Sequence, residues 1–242
     1  MGRRWVIPDT HGCAKTVKAL FTDIIRPTLA DEFYFLGDYI DRGPDSKGVI
    51  DFIRELQQGG YSVTALKGNH ENMAVELYDE ARGHKGGWNN LFNNRKFNSW
   101  MSMGGHETLK SFGVQQVKDI PSDYMDWMRN LPYYVTLERF VLVHAGLNFS
   151  NDDPFEDKFS MLWLREYEIR PEKIGFRKII HGHMPVNMEL ISLSVKNNIY
   201  KFIDLDNGIY ITGYAGYGNL TALELNSMEM VIQDNLDMES SR

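Results

Sequence analysis

Short, continuous apolar runs recur along the chain: Trp5-Val6-Ile7, Phe33-Tyr34-Phe35-Leu36, Val63-Thr64-Ala65-Leu66, Phe140-Val141-Leu142-Val143 and Ile179-Ile180. Unbroken rather than alternating apolarity is what strands covered on both faces show. Between the first runs the apolar residues take helical spacing, as Val17, Leu20, Phe21, Ile24 and as Val49, Phe52, Ile53, Leu56. Strand, helix, strand, helix, strand predicts an α/β domain with right-handed crossovers. From about 82 to 130 the texture changes to Gly, Asn, aromatic and amphipathic stretches, which predicts a helical, cap-like insertion within a single domain spanning 1–233. After Pro185, alternating segments at 199–203, 209–212, 220–225 and 228–232 predict antiparallel strands joined by turns such as Asp206-Asn207-Gly208. The polar stretch 234–242 predicts a frayed tail.

Composition narrows the function classes. The 242 residues carry 26 Lys and Arg against 33 Asp and Glu, a net charge of −7, so there is no global attraction to nucleic acid or anionic lipid. A single cysteine, Cys13, forms no intramolecular disulfide. The opening residues lack a signal-peptide apolar core, and no run approaches the roughly 20 residues that cross a bilayer. The expectation is a cytoplasmic protein with neither membrane nor nucleic acid as partner; its oligomeric state is left open.

The chemistry lies just past the end of each strand. Ile7 leads to Pro8-Asp9-Thr10-His11-Gly12, Leu36 to Gly37-Asp38-Tyr39-Ile40-Asp41-Arg42-Gly43, and Leu66 to Lys67-Gly68-Asn69-His70-Glu71. Val143 leads to His144-Ala145-Gly146, and Ile180 to His181-Gly182-His183. Open α/β sheets place their sites at such strand ends. Asp, Asn and His without thiolate form an oxygen and nitrogen donor set suited to Mn, Fe or Zn. One carboxylate can bridge two cations, a pair that activates water and clamps a phosphoryl group, and an Arg in the same turn offers a fork for phosphate oxygens. Asp9-x-His11 alone is a weak signal. The ordered set is a strong one, because the 27 positions from His11 to Asp38 and the 31 from Asp38 to Asn69 each fit one βα unit.

At these residues the chain resembles the calcineurin-like metallophosphoesterases, specifically the phosphoprotein phosphatase branch. Gly37–Gly43 and Gly68–Glu71 reproduce its G-D-x-x-D-R-G and G-N-H-E signatures. Bacterial and phage members are also similar at Trp100-Met101-Ser102-Met103-Gly104-Gly105-His106-Glu107-Thr108-Leu109, at Leu162-Trp163-Leu164-Arg165 and at Leu220-Thr221-Ala222-Leu223. The resemblance implies a four-layer α/β/β/α sandwich with two mixed central sheets. It also implies two divalent metal ions, manganese first, with iron or zinc as alternatives. Asp9 and His11 would bind the first metal, Asp38 would bridge both, and Asn69, His144 and His183 would complete the second. His70 would protonate the leaving alkoxide, oriented by Asp41, while Arg42 and Arg165 hold the phosphate. The nucleophile implied is a metal-bridging hydroxide attacking in line.

Some positions depart from the pattern or carry weaker signals. Pro8 replaces the Gly usual before Asp9, and Met184 stands where Thr is common. Lys67 replaces Arg, either as a point charge for phosphate or, the preferred reading, facing solvent. His181 reads as a hydrogen-bonding neighbour of the ligands rather than a ligand, His84 and His106 as surface or capping groups, and Cys13 as a small core residue. Trp88, Phe92, Phe97 and Trp100 either pack the insertion onto the sheet, the preferred reading, or stack a nucleobase. The expected substrate is phosphoserine or phosphothreonine in a phosphorylated protein. A symmetrical dinucleoside tetraphosphate hydrolase, with a nucleotide substrate, is the alternative, and a catalytically silent interaction module is a further one.

Overall fold

A computed structural model describes residues 2–83 and 95–238. Strands β1 (Arg4–Ile7), β2 (Glu32–Phe35) and β3 (Ser62–Ala65) pair in parallel, Trp5 opposite Phe33 and Phe33 opposite Val63. On the other edge of β1 lies β8 (Asn219–Glu224), antiparallel to it, and beyond β8 lies β9 (Met230–Asp234), antiparallel to β8, giving the order β3-β2-β1-β8-β9. A second sheet, β4-β5-β6-β7, combines an antiparallel β4 (Tyr134–Thr136) with parallel β5 (Phe140–Val143), β6 (Lys178–His181) and β7 (Phe202–Asp204). Both sheets are mixed, as the resemblance implied.

The twofold alternation of a strand sorts its side chains into layers. Val6, Tyr34 and Leu223 of the first sheet meet Phe140, Leu142, Ile180 and Ile203 of the second in one buried cluster. Their neighbours Trp5, Ile7, Phe33 and Phe35 point the other way, onto helices α1 (Ala14–Ala19), α2 (Ser46–Gln58) and α3 (Asn69–Ala81). Val141, Val143 and Ile179 back onto α7 (Lys158–Trp163) through Met161. Helices, sheet, sheet, helix make the four layers. Helices α4 (Arg95–Trp100), α5 (His106–Ser111) and α6 (Ser122–Arg129) put Trp100, Leu109, Met125 and Met128 into the same core as α1–α3.

Four expectations need correction. The stripe on the first helix ends at Ile25, 1% exposed, and not at Ile24, 37% exposed. A π-helical turn over Leu20–Ile25 widens the repeat and moves the buried position on by one. Of the alternating segments after Pro185, only 220–225 and 228–232 pair antiparallel. The segment around 199–203 yields β7, parallel to β6, and 209–212 is a loop. Helix α8 (Met188–Lys196) had no forecast; its short apolar face, Ile191 and Val195, closes the layer between the sheets. Fraying does not hold for 234–238: Asp234 ends β9, and Asp237 caps α1. Its carboxylate accepts from the N–H groups of Lys15 (3.1 Å) and Thr16 (2.8 Å) and from the Thr16 hydroxyl (2.7 Å). His84, Trp88 and Phe92 lie outside the described residues.

Asp237→Ala should cost about 1 kcal/mol in denaturant unfolding, the usual worth of a helix cap, with the slope unchanged. An unaltered midpoint would show that Asp237 contributes no capping energy.

Candidate metal centre

The loops after β1, β2, β3, β5 and β6 are stitched to one another by the backbone. Thr10 and His11 donate to the Asp38 carbonyl (3.1 and 2.9 Å), and Gly182 donates to the His144 carbonyl (2.9 Å). The N–H of His183 reaches both Asp9 carboxylate oxygens (3.2 and 3.1 Å). The buried carboxylate of Glu71 accepts from the N–H groups of Asp38 (2.9 Å), Tyr39 (2.8 Å) and Gly68 (2.9 Å). Position 68 must be Gly, because a Cβ there would sit 2.1 Å from Asp38 Oδ1. Of eight described non-glycine residues with positive φ, five are His11, Asp38, Asp41, Arg42 and His183. Left-handed backbone costs energy, and its concentration here marks a site that the fold holds under strain.

Asp38 stands at the centre. Its Oδ2 lies 3.7 Å from the Nε2 atoms of both His11 and His70, and its Oδ1 lies 3.5 Å from His144 Nε2. Two groups, His11–Asp38–His70 and Asp38–His144–His183, each bring ligand atoms within 4.8 Å of one another and share that carboxylate. Asp9 Oδ2 lies 3.9 Å from His11 Nε2 on the first side. Asn69 Oδ1 belongs to the second, 2.9 Å from His144 Nε2 and 3.0 Å from His183 Nδ1.

The tautomers suit cations. His11 Nδ1 faces the Ile40 carbonyl and His144 Nδ1 the Leu36 carbonyl, each at 3.0 Å, so Nδ1 carries the proton and Nε2 presents a bare lone pair. At His144 that lone pair points at another, on Asn69 Oδ1, and a shared cation satisfies both. Burial pushes the imidazoles of His11 and His144 down, and that of His183 down to about 3, which keeps them neutral as ligation requires. Burial alone would raise Asp38, but the imidazoles crowded around it, of which His70 keeps its proton, hold it below the usual carboxylate range. Burial, Asp206 and Asp38 push Asp9 up, a strain that positive charge relieves. The residues therefore fit two divalent cations.

The flanking groups are also in place. His70 Nδ1 donates to Asp41 Oδ2 at 2.6 Å. Burial would lower the His70 imidazole, yet Asp38 and Asp41 carry it above its ordinary value. The Arg42 guanidinium donates to His11 Nε2 (2.9 Å), approaches His70 Nε2 (3.3 Å) and lies over the Tyr210 ring (4.0 Å). It competes with a cation for the His11 lone pair. Arg165 stands apart, exposed, with its charge felt at His183.

Other forecasts fare differently. Lys67 neither reaches the centre nor faces solvent: 5% exposed, it donates to the Arg129 carbonyl (2.8 Å) over the Tyr133 ring, where the aromatic face replaces water. His181 turns from the ligands to the Gly182 carbonyl (3.0 Å). His106 pairs with Glu107 at the surface, and buried Cys13 is pushed up, an inert core thiol. Trp100 is fully buried with Phe97 packed beside it, an arrangement that leaves the indole no face for a base. Sequence reasoning missed Asp206 and Tyr210. Asp206, pushed up to about 7 by burial, keeps Oδ2 without a hydrogen-bond partner. Both were hidden in segments read as a turn and a strand; a carboxylate just past β7 was the available signal.

These loops bring together, at the strand ends of an α/β sandwich, two groups of donors that could each hold a metal ion. The chain belongs to the calcineurin-like phosphoesterase family, whose model matches residues 2–213. It is similar to a symmetrical bis(5'-nucleosyl)-tetraphosphatase of Thioalkalivibrio sulfidiphilus, 26% identical over 147 residues, 59% of this chain and 44% of that protein. It is also similar to serine/threonine-protein phosphatase 2 of Escherichia coli, 32% identical over 145 residues, covering 58% of this chain and 57% of that one. The chain thus spans about half the length of these curated relatives. A serine/threonine phosphatase from Saccharomyces cerevisiae shares the fold at a TM-score of 0.66 and 15% identity, over 98% of this chain and 81% of that one.

Asp38→Asn should reduce bound manganese by at least one equivalent in elemental analysis, because an amide cannot bridge as a carboxylate does. Full occupancy in the variant would remove the bridge.

Proposed function

We infer that this chain is a metal-dependent phosphomonoesterase acting on phosphoserine or phosphothreonine in proteins. The observation that carries the reading is the Asp38 carboxylate shared by two ligand groups, with Arg42 on one side and the buried His70–Asp41 pair beside it. Two cations held by Asp9, His11, Asp38, Asn69, His144 and His183 would supply Lewis-acid polarisation of the phosphoryl group and an activated water. Arg42 supplies a fork for phosphate oxygens, anchored on the Tyr210 face, and the exposed Arg165, whose charge is felt at His183, would swing in to add a second. The imidazolium of His70 donates its Nε2 proton to the leaving oxygen, and Asp41 holds the ring from Nδ1.

Leaving-group chemistry supports a protein substrate. A seryl or threonyl alkoxide is a poor leaving group and needs a proton, which gives an organised acid such as His70 its value. A nucleotide leaves as a stable phosphate anion and needs that proton far less. The second reading, dinucleoside polyphosphate hydrolysis, is favoured by a cleft of about 390 Å³ beside the centre. There Phe159 and Trp163 stack with centroids 6.3 Å apart, Trp163 meets the His183 ring, and Lys158 offers charge.

The deciding comparison is kcat/KM with Mn²⁺ on a phosphoserine and phosphothreonine peptide pool against diadenosine tetraphosphate. Peptide turnover should dominate, and His70→Asn should lower its kcat by roughly 10²–10⁴ without loss of metal. Dominant conversion of the dinucleotide to ADP would instead establish the second reading. Arg165→Ala should weaken inhibition by inorganic phosphate roughly tenfold, a charge-assisted contact's worth. An unchanged inhibition constant would take Arg165 out of the phosphate clamp.

A further inference from the structure

Asp41 is gripped by two side chains from outside the strand-end loops. Its Oδ2 accepts from His70 Nδ1 (2.6 Å) and also from the Trp100 indole Nε1 (2.9 Å), while its Oδ1 accepts from the Thr108 hydroxyl (2.5 Å). The Asp41 N–H in turn donates to Thr108 Oγ1 (2.9 Å) and Ser46 Oγ (3.0 Å), and those two hydroxyls lie 3.0 Å apart. Asp41, Trp100, Thr108 and Ser46 are fully buried, and His70 is 1% exposed. The chain is shaped for this approach. Gly104 takes φ +100, and a Cβ there would lie 2.3 Å from the Arg42 nitrogen; one on Gly105 would lie 2.5 Å from the Trp100 ring.

A carboxylate held only by one imidazole turns readily about its last torsion, whose well is broad, and its backbone here is left-handed at φ 70. Donors on both oxygens, with two hydroxyls on its N–H, fix the plane of the carboxylate. That plane sets the direction of the His70 ring and hence of Nε2. We propose that Trp100 and Thr108 are positioning residues for proton donation by His70, acting through Asp41. The step they serve is balanced: a water oxygen bonds to phosphorus as the P–O bond to the leaving oxygen breaks, the Nε2 proton passes to that leaving oxygen, and the proton given up by the water returns His70 to its imidazolium form. The proposal rests on the reading of His70 as the acid.

Leaving groups of different basicity test both ideas separately. 4-Nitrophenolate departs without a proton, whereas phenolate gains from one, so a loosened acid harms phenyl phosphate more than 4-nitrophenyl phosphate. In the Mn²⁺-loaded full chain, Trp100→Phe should lower kcat on phenyl phosphate roughly tenfold and on 4-nitrophenyl phosphate about twofold or less, with KM and metal content unchanged. Thr108→Val should repeat this pattern and Thr108→Ser should restore activity, which guards against a folding defect at the bulky Trp100. In the metal-free protein, the downfield proton resonance of the His70–Asp41 bond should be lost in Thr108→Val and kept in Thr108→Ser. Equal losses on both esters, or none, would overturn the positioning role. His70→Asn in the same series separates the two ideas: if its losses are equal on both esters, His70 is not the acid.

Discussion

The site depends on one buried carboxylate that ties its loops together. Glu71, fully buried, gathers the N–H groups of Asp38, Tyr39 and Gly68, which belong to loops after two different strands. A carboxylate accepting several backbone donors in a low-dielectric interior is a strong tether, and a lost partner there leaves an unsatisfied charge. The tether brings Asp38 against Gly68 so closely that no Cβ fits between them. From Asp38 the stitching continues to His11 through its carbonyl, and the other loops join through His144 and Asp9. Donor atoms are thereby set in place before any ligand arrives, which is what preorganisation means in energetic terms.

That rigidity has an electrostatic cost, visible in opposite shifts of neighbouring groups. Burial pushes both Asp9 and Asp206 up, with the charge of Asp206 adding to the effect at Asp9, while Asp38 is held down by surrounding imidazoles. Positive φ at His11, Asp38, Asp41, Arg42 and His183 adds backbone strain at the same place. Such frustration persists because two sheets and their helices over-determine the loops around it.

The helices between 95 and 129 take part in the centre without lining it. They share the core of α1–α3, and through Trp100 and Thr108 they reach the carboxylate behind His70. A separate cleft, lined by Met73, Tyr133, Phe159 and Trp163, opens on the side of His183, whose ring meets Trp163.

The sequence alone marked the strands, because continuous apolarity at β1, β2, β3 and β5 is a local signal of burial on two faces. It marked the Asp, Asn and His residues that the fold brings together too, since each sits within a few residues of a strand end. Local pattern was silent wherever the outcome depended on contacts distant in sequence. The π-helical turn moved burial from Ile24 to Ile25, a shift of register that helical spacing cannot foresee. Lys67 went inward because Tyr133 and the Arg129 carbonyl, more than 60 positions along, receive its charge. Asp206 and Tyr210 looked like a turn and a strand until the parallel β7 placed their loop over Asp9 and Arg42. Asp41's grip on Trp100 and Thr108 spans 59 and 67 positions. Residue type and strand position determined which atoms the site contains; only packing decided which of them face one another, because a hydrogen bond between distant residues is fixed by the fold and not by spacing.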